Sequence, residues 1–275
     1  MIFIIYMIGK KHYEYNKDEI FIKKVFSWYI KHGRHDLQWR KNITPYRILV
    51  SEIMLQQTQV SRVIPKFDIW MSCYPTLSSL RNATLTDVLI LWQGLGYQRR
   101  AKALLQIAKE YIKIPKDFDS LCELPCVGTY TASALSAFAY NNFSYPMLET
   151  NIRTALIEEY YKNEEKVSDV LLYKDIERIT SLLTVKKIGA RKWYYALMDY
   201  GASLKERNIS HNTKSSHYVK QKAYKGSDRE LRAKILFAIT HKENLPTDSR
   251  SKKILVTLTN EGYITKINNS FIIKD

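Results

Sequence analysis

Between about Asp18 and Leu204, apolar residues recur every three or four positions, broken by short polar connections that carry Pro, Gly or Asn, and strand-type alternation is scarce. A chain with this pattern buries its apolar stripes by packing helix on helix, so an all-α fold is expected. The best-marked helix opens at Thr44-Pro45, a cap followed by proline in the first turn, and is expected to run through YRILVSEIMLQQTQV as far as Val60. Further helices are expected from Leu85 to Trp92, Arg100 to Ile112, Thr129 to Tyr140, Asn151 to Tyr161 and Trp193 to Leu204. Residues 205–225 hold six Lys or Arg and one acid without helical spacing, and read as an extended basic connector or, more plainly, a solvated linker. Beyond Gly226, helical patterns from Asp228 to His241 and from Asp248 to Glu261 precede alternating GYITKINNSFIIK with a turn at Asn268-Asn269. The expected organisation is a helical domain over 1–204, the connector over 205–225 and a small winged-helix-like module over 226–275.

With 43 Lys and Arg against 27 Asp and Glu, the formal charge is +16. That favours a polyanionic partner without separating nucleic acid from an anionic membrane surface. No apolar run approaches the roughly 18 residues of a spanning helix. The opening MIFIIYMIGKKHYEY puts its apolar stretch before its lysines, the reverse of a secretory signal. A cytoplasmic monomer with no membrane attachment is expected. Cys73, Cys122 and Cys126 make no disulfide framework and fall short of the four thiolates of a zinc or iron–sulfur site.

Three local features bear on chemistry. Glu52 has Ile48, Leu49 and Leu55 as its helical neighbours, so its carboxyl is expected to be partly buried. Desolvation there raises the pKa and keeps a proton available near neutrality. A core carboxylate paired with an arginine such as Arg40 accounts for the same pattern. Leu124-Pro125-Cys126-Val127-Gly128 leads into the small-residue helix TYTASALSAFA, the form of a helix–hairpin–helix whose exposed amides can bind phosphate, or of an ordinary helical hairpin. Glu149 precedes an apolar-periodic helix, where the helix dipole is expected to keep it ionised, although an acid at such a place is often only a cap. Glu52 and Glu149 together form a pair whose environments push their pKa values apart, as in sites that divide acid and base roles.

In this order and spacing, these features resemble the helix–hairpin–helix DNA glycosylase superfamily over roughly residues 25–205, and within it the MutY-type adenine glycosylases. Trp39-Arg40, Thr44-Pro45-Tyr46, the run from Ser51 to Val60, Val63-Ile64-Pro65, Leu91-Trp92, Gly94-Leu95-Gly96-Tyr97 and the run from Ala196 to Gly201 carry the resemblance further. It implies two helical subdomains with the active site between them. It also implies base-excision repair of double-stranded DNA containing a mismatch or lesion, in which adenine opposite G or 8-oxoguanine is removed by monofunctional hydrolysis. By the same resemblance Glu52 is the general acid that protonates adenine, and Glu149 matches an aspartate that stabilises the charged sugar. Arg40 and Asn151 match residues that orient the two carboxyls. Tyr130 stands where related lyases carry a Schiff-base lysine. Gln57 and Tyr97 match residues that enter the DNA stack, their plainer readings being a solvent-facing amide and a core tyrosine. Gln56, Leu95, Val127, Gly128, Thr129 and Thr131 fall in DNA-binding segments.

The chain also departs from that family. Glu149 replaces Asp and sets its carboxylate a methylene farther out. Cys126 replaces the usual first hairpin glycine, where a Cβ is costly if the site needs positive φ. The four cysteines that follow Gly201 in most relatives and hold a [4Fe–4S] cluster are missing, so neither metal nor cofactor is expected. His211 and His217 read as linker residues. About fifty residues of winged-helix pattern stand where well-known relatives carry a NUDIX-like domain, whose lesion-reading Ser-His is faintly matched by Ser216-His217. Gln56-Gln57 favours adenine over a thymine or uracil mismatch glycosylase. A catalytically silent DNA-binding protein is the alternative suggested by the altered hairpin and Glu149.

Overall fold

The structure is a computed structural model and describes residues 2–143, 145–214, 224–268 and 270–275. In chain order its helices are α1 (Ile2–His32), α2 (Pro45–Leu55), α3 (Val60–Cys73), α4 (Leu77–Arg81), α5 (Leu85–Trp92), α6 (Arg99–Glu110), α7 (Phe118–Glu123), α8 (Thr129–Phe138), α9 (Thr150–Tyr160), α10 (Asp169–Val185), α11 (Ala190–Glu206), α12 (Asp228–Thr240) and α13 (Ser249–Asn260). Strands β1 (Ile264–Ile267) and β2 (Ser270–Ile273) follow. The helical class expected from the periodicity is the one the chain adopts. Its described residues form two compact units, Met1–Asp36 with Ser136–Val219 and Leu37–Leu135 with Lys220–Asp275. Among the described residues no helix is long and apolar enough to cross a membrane.

In the first unit Phe21 of α1 is fully buried, and its ring meets Tyr160, Trp193 and Tyr200 edge-on at centroid distances of 5.6, 6.1 and 6.4 Å. Helices α9 and α11 meet at Gly201, where a Cβ would lie 2.0 Å from the Asn151 carbonyl oxygen, so only glycine lets the two backbones touch. The buried acids Asp18 and Asp175 share Arg178, at 2.6 and 2.7 Å, and the Tyr160 hydroxyl donates to Asp18 at 2.6 Å. Pairing of this kind is what makes buried carboxylates tolerable.

The second unit is built around Trp70 and Trp92, whose rings lie 5.7 Å apart. Trp70 Nε1 donates to the Tyr46 hydroxyl at 3.0 Å, which donates in turn to the Tyr74 carbonyl at 2.9 Å. Helices α12 and α13, capped by Ser227 and Asp248, and an antiparallel ribbon with Ile264 opposite Ile273 complete it. This C-terminal segment is fastened to α5 and α6. Lys102 Nζ donates to the carbonyls of Glu261 and Gly262 at 2.6 and 3.2 Å, and Thr86 donates to the Asp275 carboxylate through amide and hydroxyl, each at 2.8 Å.

Three expectations need correction. Helix α2 stops at Leu55 instead of continuing to Val60, because Gln57 turns the chain with a φ of 56°. The connector is not extended over its first part. Helix α11 runs on to Glu206, and the Val167 amide donates to the Lys214 carbonyl at 3.0 Å. His211 is no plain linker residue, since its Nε2 lies 2.6 Å from the Glu158 carboxylate of α9. Residues 215–223, with Ser216 and His217, and Asn269 of the ribbon turn lie outside the described residues.

Candidate active site

Thr44 Oγ1 accepts the Arg47 amide at 3.2 Å and Pro45 fills the first turn, so α2 begins where its cap signal places it. The helix is buried without interruption from Ile48 to Met54, and Glu52, its one acid, is 7% exposed within that run. Arg40 ends the short 3₁₀ turn Gln38–Arg40 that precedes α2, and partly exposed Tyr130 is the second residue of α8. These residues belong to the second unit, whereas Glu149 and Asn151 belong to the first.

Gln57 is exposed and Tyr97 partly so, and both take left-handed backbone angles, φ 56° and 46°. Outside glycine such a conformation costs roughly 1–2 kcal/mol and persists only where surrounding contacts impose it. The residue that imposes it was not among the expected site residues. Buried Arg100 of α6 donates through Nη1 to the carbonyls of Ile53, Met54 and Gln56, at 2.8, 3.0 and 2.5 Å. Its Nη2 donates to the Thr58 hydroxyl and the carbonyls of Leu95 and Gly96, at 3.1, 2.8 and 3.1 Å. One guanidinium therefore caps the C-terminus of α2 and binds together the two loops that carry Gln57 and Tyr97. Burial lowers the Arg100 pKa to about 10, which leaves it charged at neutral pH.

The hairpin joins α7 to α8. Gln56 Nε2 donates to the Cys126 carbonyl at 2.9 Å and to the Thr131 hydroxyl at 3.2 Å, tying α2 to the hairpin. Gln56 and Thr131 thus use polar atoms inside the protein that were expected to face DNA. Leu95 and Val127 are each 5% exposed, so their side chains lie in the core and a contact with DNA would have to come from their backbone. Gly128 and Thr129 remain exposed, and a Cβ on Gly128 would meet nothing within 4 Å. Cys126 does sit at a positive φ, 62°. Its replacement by glycine is expected to raise stability by about 1 kcal/mol, read as a higher Tm. An unchanged or lower Tm would show that no strain resides there.

Glu149 caps α9, its Oε1 accepting the amides of Asn151 and Ile152 at 2.8 Å each. The helix dipole alone would keep Glu149 ionised, but burial of the carboxyl outweighs those two bonds and the nearby Lys205 and Arg153 charges, and pushes the pKa up. Asn151 orients this carboxyl through its backbone amide, because its side-chain oxygen accepts from Lys205 Nζ at 2.7 Å. Burial in turn pushes the Lys205 pKa down. A carboxyl with a raised folded-state pKa holds its proton more tightly in the folded chain. The stability it contributes is complete below the ordinary value of 4.5 and is lost as pH rises through the raised value. Glu149→Gln is expected to lose less stability than the unaltered chain between pH 4.5 and pH 7. Urea unfolding at the two pH values checks this, and equal losses would contradict it.

Among the described residues no group of three His, Cys, Asp or Glu is placed to hold a metal ion. The three cysteines sit on α3, on α7 and in the hairpin, none follows Gly201, and Lys205 in that last stretch is engaged by Asn151. These residues do not fit the iron–sulfur cluster that the resemblance implies for this stretch.

The HhH-GPD superfamily of base excision DNA repair proteins matches residues 50–181. The chain is 39% identical over 195 residues to the adenine DNA glycosylase of Buchnera aphidicola subsp. Acyrthosiphon pisum, covering 67% of this chain and 53% of that protein. To the adenine DNA glycosylase of Mycolicibacterium smegmatis it is 35% identical over 234 residues, with 78% of each chain covered. It thus spans about half the length of the Buchnera relatives and more of the mycobacterial one. The structure of a thermostable thymine-DNA glycosylase superposes with a TM-score of 0.58 at 21% identity, covering 72% of this chain and 92% of that one, a likeness of fold.

Proposed function

The chain belongs to the HhH-GPD superfamily of base excision DNA repair proteins, and we propose that it is a monofunctional DNA N-glycosylase that removes adenine mispaired with G or 8-oxoguanine in duplex DNA. The observation that carries this proposal is Glu52, the one acid of α2, in its buried run and five residues ahead of exposed Gln57 with its left-handed backbone. The adenine specificity named for relatives at 35–39% identity supports the choice of base.

Breaking a bond between a base and a sugar requires a proton on the leaving group and negative charge to steady the sugar, a division of labour familiar from glycoside hydrolysis. Glu52 gives its proton to the adenine as the glycosidic bond breaks. Glu149, in its ionised form, stabilises the positive sugar, and water adds to the sugar carbon as its proton passes to a carboxylate. Free adenine and an abasic site remain. Tyr130 offers no amine for a Schiff base, so the strand is left intact. Because Glu149 must be ionised and burial raises its pKa, the rate is expected to fall with decreasing pH, starting at a higher pH than an ordinary glutamate would give. Exposed Gly128 and Thr129 at the start of α8 and the +16 charge suit phosphate contacts. The protein acts as a monomer on DNA of the nucleoid.

Duplexes labelled on either strand and carrying G:A, 8-oxoguanine:A, G:T or G:U, incubated with the protein and then treated with alkali, test the proposal. Alkali-labile sites are expected in the adenine strand. Cleavage confined to the pyrimidine strands would replace adenine by thymine or uracil as substrate, and no labile site in any strand would leave a DNA-binding protein without this activity.

A further inference from the structure

A groove of about 1190 Å³ beside Tyr97 lies wholly within the second unit. Its walls combine cations with rings, Arg62 and Lys66 of α3 and Arg229 and Lys234 of α12 standing near Tyr97 and Phe237. Guanidinium and ammonium groups beside aromatic faces are what nucleobases and their phosphates bind. Gln57 and Tyr97, from separate loops, both line the groove, and both hold left-handed angles.

Two guanidiniums surround Tyr97. Arg100 lies 5.5 Å from its ring centroid and Arg229 lies 5.3 Å from it. Arg229 Nη1 also donates to the Tyr97 hydroxyl. Arg100 is an internal anchor, but Arg229 comes from the C-terminal segment, outside the residues matched by the family. It is placed firmly. Ser227 caps α12, and Arg250 donates to the Asp228 carboxylate at 2.7 Å and to the Gly226 carbonyl at 2.8 Å, fixing the first turn on which Arg229 sits.

We propose that Arg229 is a positioning residue through which the C-terminal segment holds Tyr97 ready to stack on DNA bases at the mismatch, so that mismatch discrimination depends on a side chain outside the family-matched region. The proposal rests on the glycosylase function above. A mere tether between α12 and the loop would affect folding alone, whereas a positioning role affects discrimination through Tyr97.

The test is a double-mutant cycle in the full chain, with two readouts. One is single-turnover adenine removal from a G:A duplex, and the other is the ratio of affinities for G:A and G:C duplexes measured by fluorescence anisotropy. Arg229→Ala is expected to reduce both by about tenfold. Arg229→Lys restores only part, since an ammonium lacks the planar fork. In a Tyr97→Ala background, Arg229→Ala is expected to add less than about a twofold change. Unchanged discrimination in Arg229→Ala, or losses of the same size with and without Tyr97, would overturn the proposal. If the unaltered chain releases no adenine, the function proposed above fails on its own, and the anisotropy cycle decides the role of Arg229 by the same criteria.

Discussion

Replacing Glu52 by glutamine is expected to slow single-turnover adenine removal by roughly 10²- to 10⁴-fold, the usual range for loss of a general acid. The amide matches the carboxyl in shape and keeps hydrogen-bonding capacity at a site that is 7% exposed, but it has no proton to give to a departing base. Affinity for a G:A duplex should therefore stay within about threefold of the unaltered chain, since acid assistance acts on the transition state. Rapid-quench kinetics and anisotropy separate the two effects. Undiminished activity would place the acid elsewhere, and a parallel loss of binding and folding would make Glu52 a core carboxylate.

Arg100→Ala is expected to cost about 3–5 kcal/mol of stability, the largest effect foreseen for a residue outside the chemistry. The guanidinium makes six bonds, five of them to carbonyls at the end of α2 and in the two loops. Removing it leaves those acceptors in a space where only some can reach water. Lysine at the same place is expected to recover only a fraction, because one ammonium cannot span both loops. Because Gln57 and Tyr97 share this anchor, duplex binding should weaken even at temperatures where the variant stays folded. Urea unfolding measures the first effect, and a loss below about 1 kcal/mol would contradict the anchoring role.

The start of α2 was legible in the sequence because Thr44-Pro45 is a cap signal whose physics is local. The end of α2 was not. LQQTQV continues the apolar spacing to Val60, and the break depends on Arg100, far along the chain. That the side chains of Leu95, Val127 and Thr131 turn inward was not legible, because a motif fixes position in the chain but not which side of a turn faces the core. Glu149 was recognisable as a cap, yet the depth of its carboxyl, which reverses the expected pKa shift, is a product of packing. Arg100 carries the same signal in the sequence as Glu52, since Ala103, Leu104 and Ile107, three, four and seven residues on, place it on the apolar side of its helix.

The most direct measurement is the identity of the molecule released in one turnover from a G:A duplex whose adenine carries a heavy-nitrogen label. Mass spectrometry is expected to find one equivalent of free labelled adenine and an unbroken strand with the unaltered protein, and none with Glu52→Gln. Equal release by both proteins, or a strand break without free adenine, would contradict proton donation from Glu52 as the basis of the reaction.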